Sequence, residues 1–414
     1  MTDEAPPRTR RELMRTPVGA IATGKVLSTL AVWTTNVAGA ILVFQLTGSA
    51  LVVGLVSVLQ FTPQLILTPL FGARADRSDR FAQLIVGTVV TALGSLLLVA
   101  WALQVGFSVE RDAYVVVLAA GLVGTGFSIA GPAQSALLPS LVRRSELADA
   151  LALSSLPIIV ARSIGPAFGA TLYLAAGATV TFSVALLLHV AFLTALGVLR
   201  RRVHLAPRDR SPSADRRVRA GIAYLRRSPR TLVQILGVGI IGVAVDPVTT
   251  LTPSLAAELG ASSGFVGTLA SAFGLGAAVG FVLLSRVRLR IGLMRLGAVG
   301  LAVMGTGMML VALAPLPWLA VAGIATSGAG MTFALNSFTT LVQADVPDAL
   351  RGRVMALWAM AFLGSRPVTA LLTGTLTDLV GVRVALALSA AVVLAGAAAT
   401  RAARMERLPV GTED

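Results

Sequence analysis

Asp246 is the one carboxylate set inside a long apolar run of this sequence, and Arg162 and Arg366 are the two guanidinium groups so placed. A charge at the centre of a membrane helix costs about 2.5–3.5 kcal/mol on insertion scales, so one that is kept there faces a wet cavity or a partner. Burial and a neighbouring cation act on a carboxyl group in opposite senses. The protonation of Asp246 can therefore follow its exposure, which makes it the candidate proton-coupling group. A permanent Asp–Arg pair that only fixes helix packing fits the same residues. Lys25 lies near the start of its run, where a flexible stem lets the ammonium group reach the surface.

Uncharged polar residues recur in the same runs at helical spacing. Ser155, Arg162, Gly165 and Gly169 share one stripe, Arg366, Thr369, Thr373 and Thr377 another, and Thr332, Asn336, Thr339 and Gln343 a third. Thr29, Trp33 and Asn36 line up in the same way, as do Gln60 and Gln64. A polar stripe on an apolar helix turns inward, so the candidate substrate contacts are Trp33, Asn36, Gln60, Gln64, Arg162, Asn336 and Arg366. Hydrogen bonding between helices, without substrate contact, is the alternative at each position. His189, midway along its run, reads as a packed neutral ring. With no cysteine, two histidines, no Walker loop and no Ser/His/acid arrangement, catalysis has little to work with, and no cofactor or metal is expected.

The elements that hold these residues follow from composition. Of 414 residues 56% are hydrophobic and 13% charged, against roughly 45–50% and 25% in soluble proteins, and mean hydropathy is +0.84. Neither a soluble fold nor a disordered chain is compatible with this. A bilayer crossing takes about 20 apolar residues, and cutting at charges and turn residues leaves twelve segments. They span 18–46, 51–71, 82–104, 113–136, 150–175, 179–199, 230–256, 264–285, 292–313, 318–341, 353–377 and 382–404. The fold class expected is an all-α polytopic membrane protein with twelve transmembrane helices in two pseudo-symmetric six-helix halves.

The formal charge of +15 would suggest a nucleic-acid partner in a soluble protein, but its placement argues against one. If residues 1–17 are cytoplasmic, 29 of the 34 basic residues fall on the inner side and only Arg111 and Arg383 on the outer, the bias that orients multi-pass proteins. The expected organisation is a cytoplasmic tail at 1–17, a half at 18–199, a cytoplasmic linker at 200–229, a half at 230–404 and a cytoplasmic tail at 405–414. Within the linker, Val218, Ile222 and Leu225 at helical spacing among arginines predict an amphipathic helix on the inner leaflet.

Between segments 2 and 3 stands Gly72-Ala73-Arg74-Ala75-Asp76-Arg77-Ser78-Asp79-Arg80, which resembles the signature loop of the major facilitator superfamily. Pro139, Leu141-Val142, Glu146-Leu147, Ala150-Leu151 and the run Arg162 to Gly169 are similar to helix 5 of its efflux members. Arg351-Gly352-Arg353-Val354-Met355-Ala356-Leu357, with Gly364 and Pro367, resembles helix 11 of the enterobactin-exporter branch, and Thr47-Gly48-Ser49-Ala50 its first outer turn. The resemblance implies an alternating-access carrier with one substrate cavity between its halves. Gly72, Asp76, Arg77 and Arg80 would then belong to an inner gate, with Asp76 docking on the helix start near Gly352 and Arg353, and Gly165-Pro166 would bend or seal helix 5. Asp79 replaces the usual glycine of the loop, and Ala120 stands where many proton-coupled drug exporters carry arginine. The function expected is a proton-coupled exporter of a small amphiphilic molecule, monomeric, in a bacterial plasma membrane. An importer or lipid flippase of the same fold, or a transport-dead receptor or scaffold, is the alternative.

Overall fold

The computed structural model describes residues 8–75, 79–203 and 218–405, and helix is the only regular structure among them. Eleven stretches of these residues are long and apolar enough to cross a membrane. A twelfth comes from the 56-residue helical run Leu147–Arg202, more than twice what a crossing needs. It breaks at Gly177, whose φ of 78° and ψ of 179° lie outside any helix and suit only glycine. The twelve are α1 (Pro17–Thr47), α2 (Ala50–Ala75), α3 (Arg80–Gln104), α4 (Ala113–Leu137), α5 (147–176), α6 (178–202), α7 (Pro229–Thr250), α8 (Phe265–Ile291), α9 (Leu293–Leu313), α10 (Pro317–Asp345), α11 (Asp348–Val380) and α12 (Val382–Met405). The seventh crossing is interrupted where the apolar pattern runs on: α7 stops at Leu251, and a short helix, Thr252–Glu258, follows.

The chain forms two compact units, Met1–Pro212 with Ala256–Ser271, and Ser213–Leu255 with Ala272–Asp414. Within each, glycines hold the helices together. Without water to drive helices together in a bilayer, close backbone approach at small residues supplies the packing. In the first unit a methyl group at Gly169 of α5 would stand 2.7 Å from the Thr34 Cα of α1, one at Gly124 of α4 would overlap the Gln60 backbone of α2, and Gly87 of α3 meets Ala130 of α4. The second unit repeats all three contacts. Gly242 of α7 meets Phe362 of α11, Gly328 of α10 meets Phe273 of α8, and Gly300 of α9 meets Ala334 of α10. The internal repeat is thus written in the helix seams as well as in the helix count.

The linker helix forms at Val218–Arg227, but it is seated on protein. Leu225 is buried in a cluster with Ile235, Val342, Val346 and Val354, and the Tyr224 hydroxyl donates to the Asp345 carbonyl oxygen at 3.1 Å. Ile222, on the same expected face, is exposed. The helix is anchored on the second unit, where α7, α10 and α11 offer its apolar face a packed surface.

Candidate functional site

Asp246 and Arg366 are brought together by the α7–α11 seam. Gly239 and Gly242 lie on the face of α7 that meets Ala361, Phe362 and Ser365 of α11, and one turn further along each helix stand the two charges. Arg366 Nη2 is 3.6 Å from Asp246 Oδ1, an ion pair too long for a hydrogen bond along that vector. Asp246 is fully buried and the Arg366 side chain is 13% exposed. Thr250 shares its hydroxyl between the Asp246 carbonyl oxygen at 2.9 Å and Oδ2 at 3.3 Å. Each charged residue is followed by a proline, Pro247 and Pro367, inside its helix. These prolines remove the N–H groups that would bond the carbonyls of Val243 and Leu363, and such positions are where helices bend. The Asp-Pro and Arg-Pro dipeptides were a signal available in the sequence.

The polar stripes divide. Thr369 and Thr373 are buried and donate backward to Ser365 and Thr369 carbonyl oxygens at 2.9 and 2.8 Å, so their hydroxyls are satisfied within α11. Asn336 Nδ2 likewise donates to the Thr332 carbonyl oxygen at 2.9 Å. Trp33 and Asn36 are half-buried on α1, with Gly165 of α5 packed on Trp33: a methyl group at Gly165 would lie 2.7 Å from Trp33 Cβ. Pro166 beside it is buried in α5. Gln60 is buried where α4 presses on α2 at Gly124, and its carbonyl oxygen accepts from Gln64 Nε2 at 3.1 Å. Beside it an open groove of about 530 Å³ runs between α2 and α4, with Thr62 and Thr125 as its polar residues. His189 is 1% exposed. Asp76, Arg77 and the side chain of Arg162 lie outside the described residues.

At the loop ends the structure shows partners that pattern reading missed. Arg80 donates from Nε to the Ala75 carbonyl oxygen at 3.2 Å and from Nη1 to that of Ala136 at 3.1 Å, so it clasps the ends of α2 and α4, where helix carbonyls lack partners. Asp79, which departs from glycine, caps α3 by accepting from the Ala82 N–H at 3.1 Å and pairs with Arg200 at 3.1 Å. A methyl group would find open space at Gly72 and at Gly352. Arg353 packs under Gly221 of the linker helix.

Glu146, with no exposed side-chain surface, receives Arg8 through its backbone N–H, Nε and Nη2 at 3.0, 2.9 and 2.7 Å, and Arg143 at 3.0 Å. The Arg8 hydrogen bonds hold its carboxyl well below the usual carboxylate range, against the opposing pull of burial. In the second unit Asp345 plays a similar binding part, accepting Gln234 Nε2 at 2.7 Å and Arg230 Nε at 3.1 Å.

A buried ion pair on two proline-containing membrane helices, in a chain whose helix seams repeat, is the outline of a carrier. The model of a family described as transmembrane secretion effector matches residues 13–413. The chain belongs to this family. It is a polytopic membrane transporter of the major facilitator fold. Macrolide efflux protein A of Streptococcus pyogenes is 25% identical over 352 residues, covering 81% of this chain and 83% of that protein. Among solved structures, a bacterial homologue of the iron transporter ferroportin, in its inward-facing state, gives a TM-score of 0.75 at 16% identity, covering 94% of this chain and 98% of that one. The nucleoside transporter NupG gives 0.74 at 12%, covering 93% and 99%. A bacterial homologue of the lysosomal transporter Spinster gives 0.72 at 13%, covering 95% and 99%. These likenesses speak for the fold of the secretion effector chain, not for its cargo.

Proposed function

We propose that this transporter exports a small amphiphilic molecule across a bacterial plasma membrane by alternating access, exchanging it for protons at Asp246. The observation that supports the reading is the buried Asp246–Arg366 pair, a titratable group held between two helices that each carry a proline beside the charge. An exporter can use it by holding cargo while Asp246 is ionised and releasing cargo when a proton arrives from outside, because protonation dissolves the attraction to Arg366. Macrolides, the cargo named for the Streptococcus pyogenes relative, are the first substrates to test. In everted vesicles carrying the protein, energisation should drive macrolide accumulation, and a protonophore should abolish it. Accumulation that survives the protonophore, or none with any of a panel of antibiotics and siderophores, would overturn the coupled-exporter reading.

The same proposal places both termini in the cytoplasm, and the lack of cysteine makes that directly testable. In intact cells Ser49→Cys and Ser108→Cys should react with an impermeant thiol reagent, and Ser211→Cys should react only after lysis. Labelling of Ser211→Cys from outside would reverse the orientation.

A further inference from the structure

We propose that the groove between α9 and α12 is a binding site for an anionic glycerophospholipid. The groove has a volume of about 1000 Å³, at the top of the roughly 300–1,000 Å³ range of small-molecule sites. Gly305 brings the helices together, since a methyl group there would lie 2.8 Å from Leu394 Cγ. Toward the start of α9 they are lined by small side chains, Ala298 and Ala302 on one helix and Ala397 and Ala398 on the other, and the space that larger residues would fill stays open. The two helices run antiparallel, so Arg295, early in α9, and Arg401, late in α12, stand at the same end of the groove. Both arginines are exposed, and neither makes an ion pair or hydrogen bond with another described residue. Thr400, the remaining polar side chain of the lining, already donates to the Gly396 carbonyl oxygen at 2.8 Å.

An apolar channel on membrane helices with two uncommitted guanidinium groups at one end matches a molecule with acyl chains and a single negatively charged head. Guanidinium groups bind phosphate oxygens in pairs, a geometry that a zwitterionic head offers without the net charge. On the topology proposed above, the arginine end lies in the cytoplasmic leaflet, whose anionic lipids attract basic side chains.

The test is lipid-dependent thermal unfolding and binding of the full-length protein in detergent, with phosphatidylglycerol, phosphatidylcholine and inorganic phosphate as probes. Phosphatidylglycerol should stabilise the wild type more than phosphatidylcholine, and inorganic phosphate should do nothing. In the Arg295→Gln/Arg401→Gln double variant, binding of phosphatidylglycerol should weaken roughly thirtyfold, since each arginine near an anionic surface is worth about 1 kcal/mol. Ala302→Leu, which keeps both charges and fills the channel, should also lose the lipid. The proposal is overturned if the two lipids stabilise equally, if the double variant keeps the preference, or if inorganic phosphate reproduces the effect. It is equally overturned if a transported macrolide, rather than lipid, proves to occupy the groove in a manner abolished by Ala302→Leu.

Discussion

Arg366→Ala should destabilise the protein by about 3–5 kcal/mol, the usual consequence of stripping one partner from a buried ion pair. Asp246 would remain with no exposed surface, and the Thr250 hydroxyl, 3.3 Å from Oδ2, does not replace a cation. Asp246→Asn/Arg366→Gln removes both charges and leaves most of the side-chain volume, so it should regain much of the lost stability while remaining inactive in transport. Thermal unfolding of the detergent-solubilised variants checks the first half. Equal stability of Arg366→Ala and the double variant would mean that the two side chains do not depend on one another. Asp246→Asn alone then separates coupling from packing. If Asp246 carries the proton, the neutral Asn mimics the cargo-releasing state, so substrate binding weakens without loss of folding and efflux driven by a pH gradient disappears; full proton-driven efflux by Asp246→Asn would remove it from the mechanism.

A second large effect is expected one turn earlier on the same helix. Gly242→Ala places a methyl group against the Phe362 carbonyl and the Ser365 hydroxyl, where backbone cannot yield cheaply. Overpacking of this kind costs about 1–3 kcal/mol, and occasionally more. Gly239→Ala makes the control, because its methyl group would lie 3.8 Å from Ala361, an ordinary contact. Alanine is favoured over glycine in a helix by about 1 kcal/mol, so Gly239→Ala should be neutral or stabilising. The two variants differ by one methyl group at positions three residues apart. Unfolding temperatures and transport rates should therefore move in opposite directions, and matched behaviour would show that the α7–α11 distance does not set the site.

The helices were legible because a bilayer forces each crossing to be an uninterrupted apolar run, and basic residues mark where runs end. Family membership was legible in the loop from Gly72 to Arg80, the start of helix 5 and the start of helix 11. The likeness to the enterobactin-exporter branch rests on those residues alone. Asp246 and Arg366 could be singled out by cost, but pairing them required the α7–α11 seam, which depends on glycines whose neighbours no single sequence reveals. Gln60 was legible as a member of a polar stripe, but its burial and the close approach of Gly124 of α4 to its backbone were not. Asp79 looked like a lapse from a glycine pattern because its value lies in the cap it forms for α3 and its reach to Arg200, at the far end of α6.

The clasp of Glu146 by Arg8 has a consequence for how the protein handles acid. A carboxylate held below its ordinary value of 4.5 lends stability at every pH above that value, and the stability is lost only as pH falls through the lowered folded value. The tether that binds Arg8 to the start of α5 is consequently closed throughout the neutral and mildly acidic range in which a proton gradient operates. A swing in acidity within that range therefore leaves this joint ionised. Fastening Arg8 to the start of α5 is thus the task of a carboxylate other than Asp246, the group proposed to carry protons.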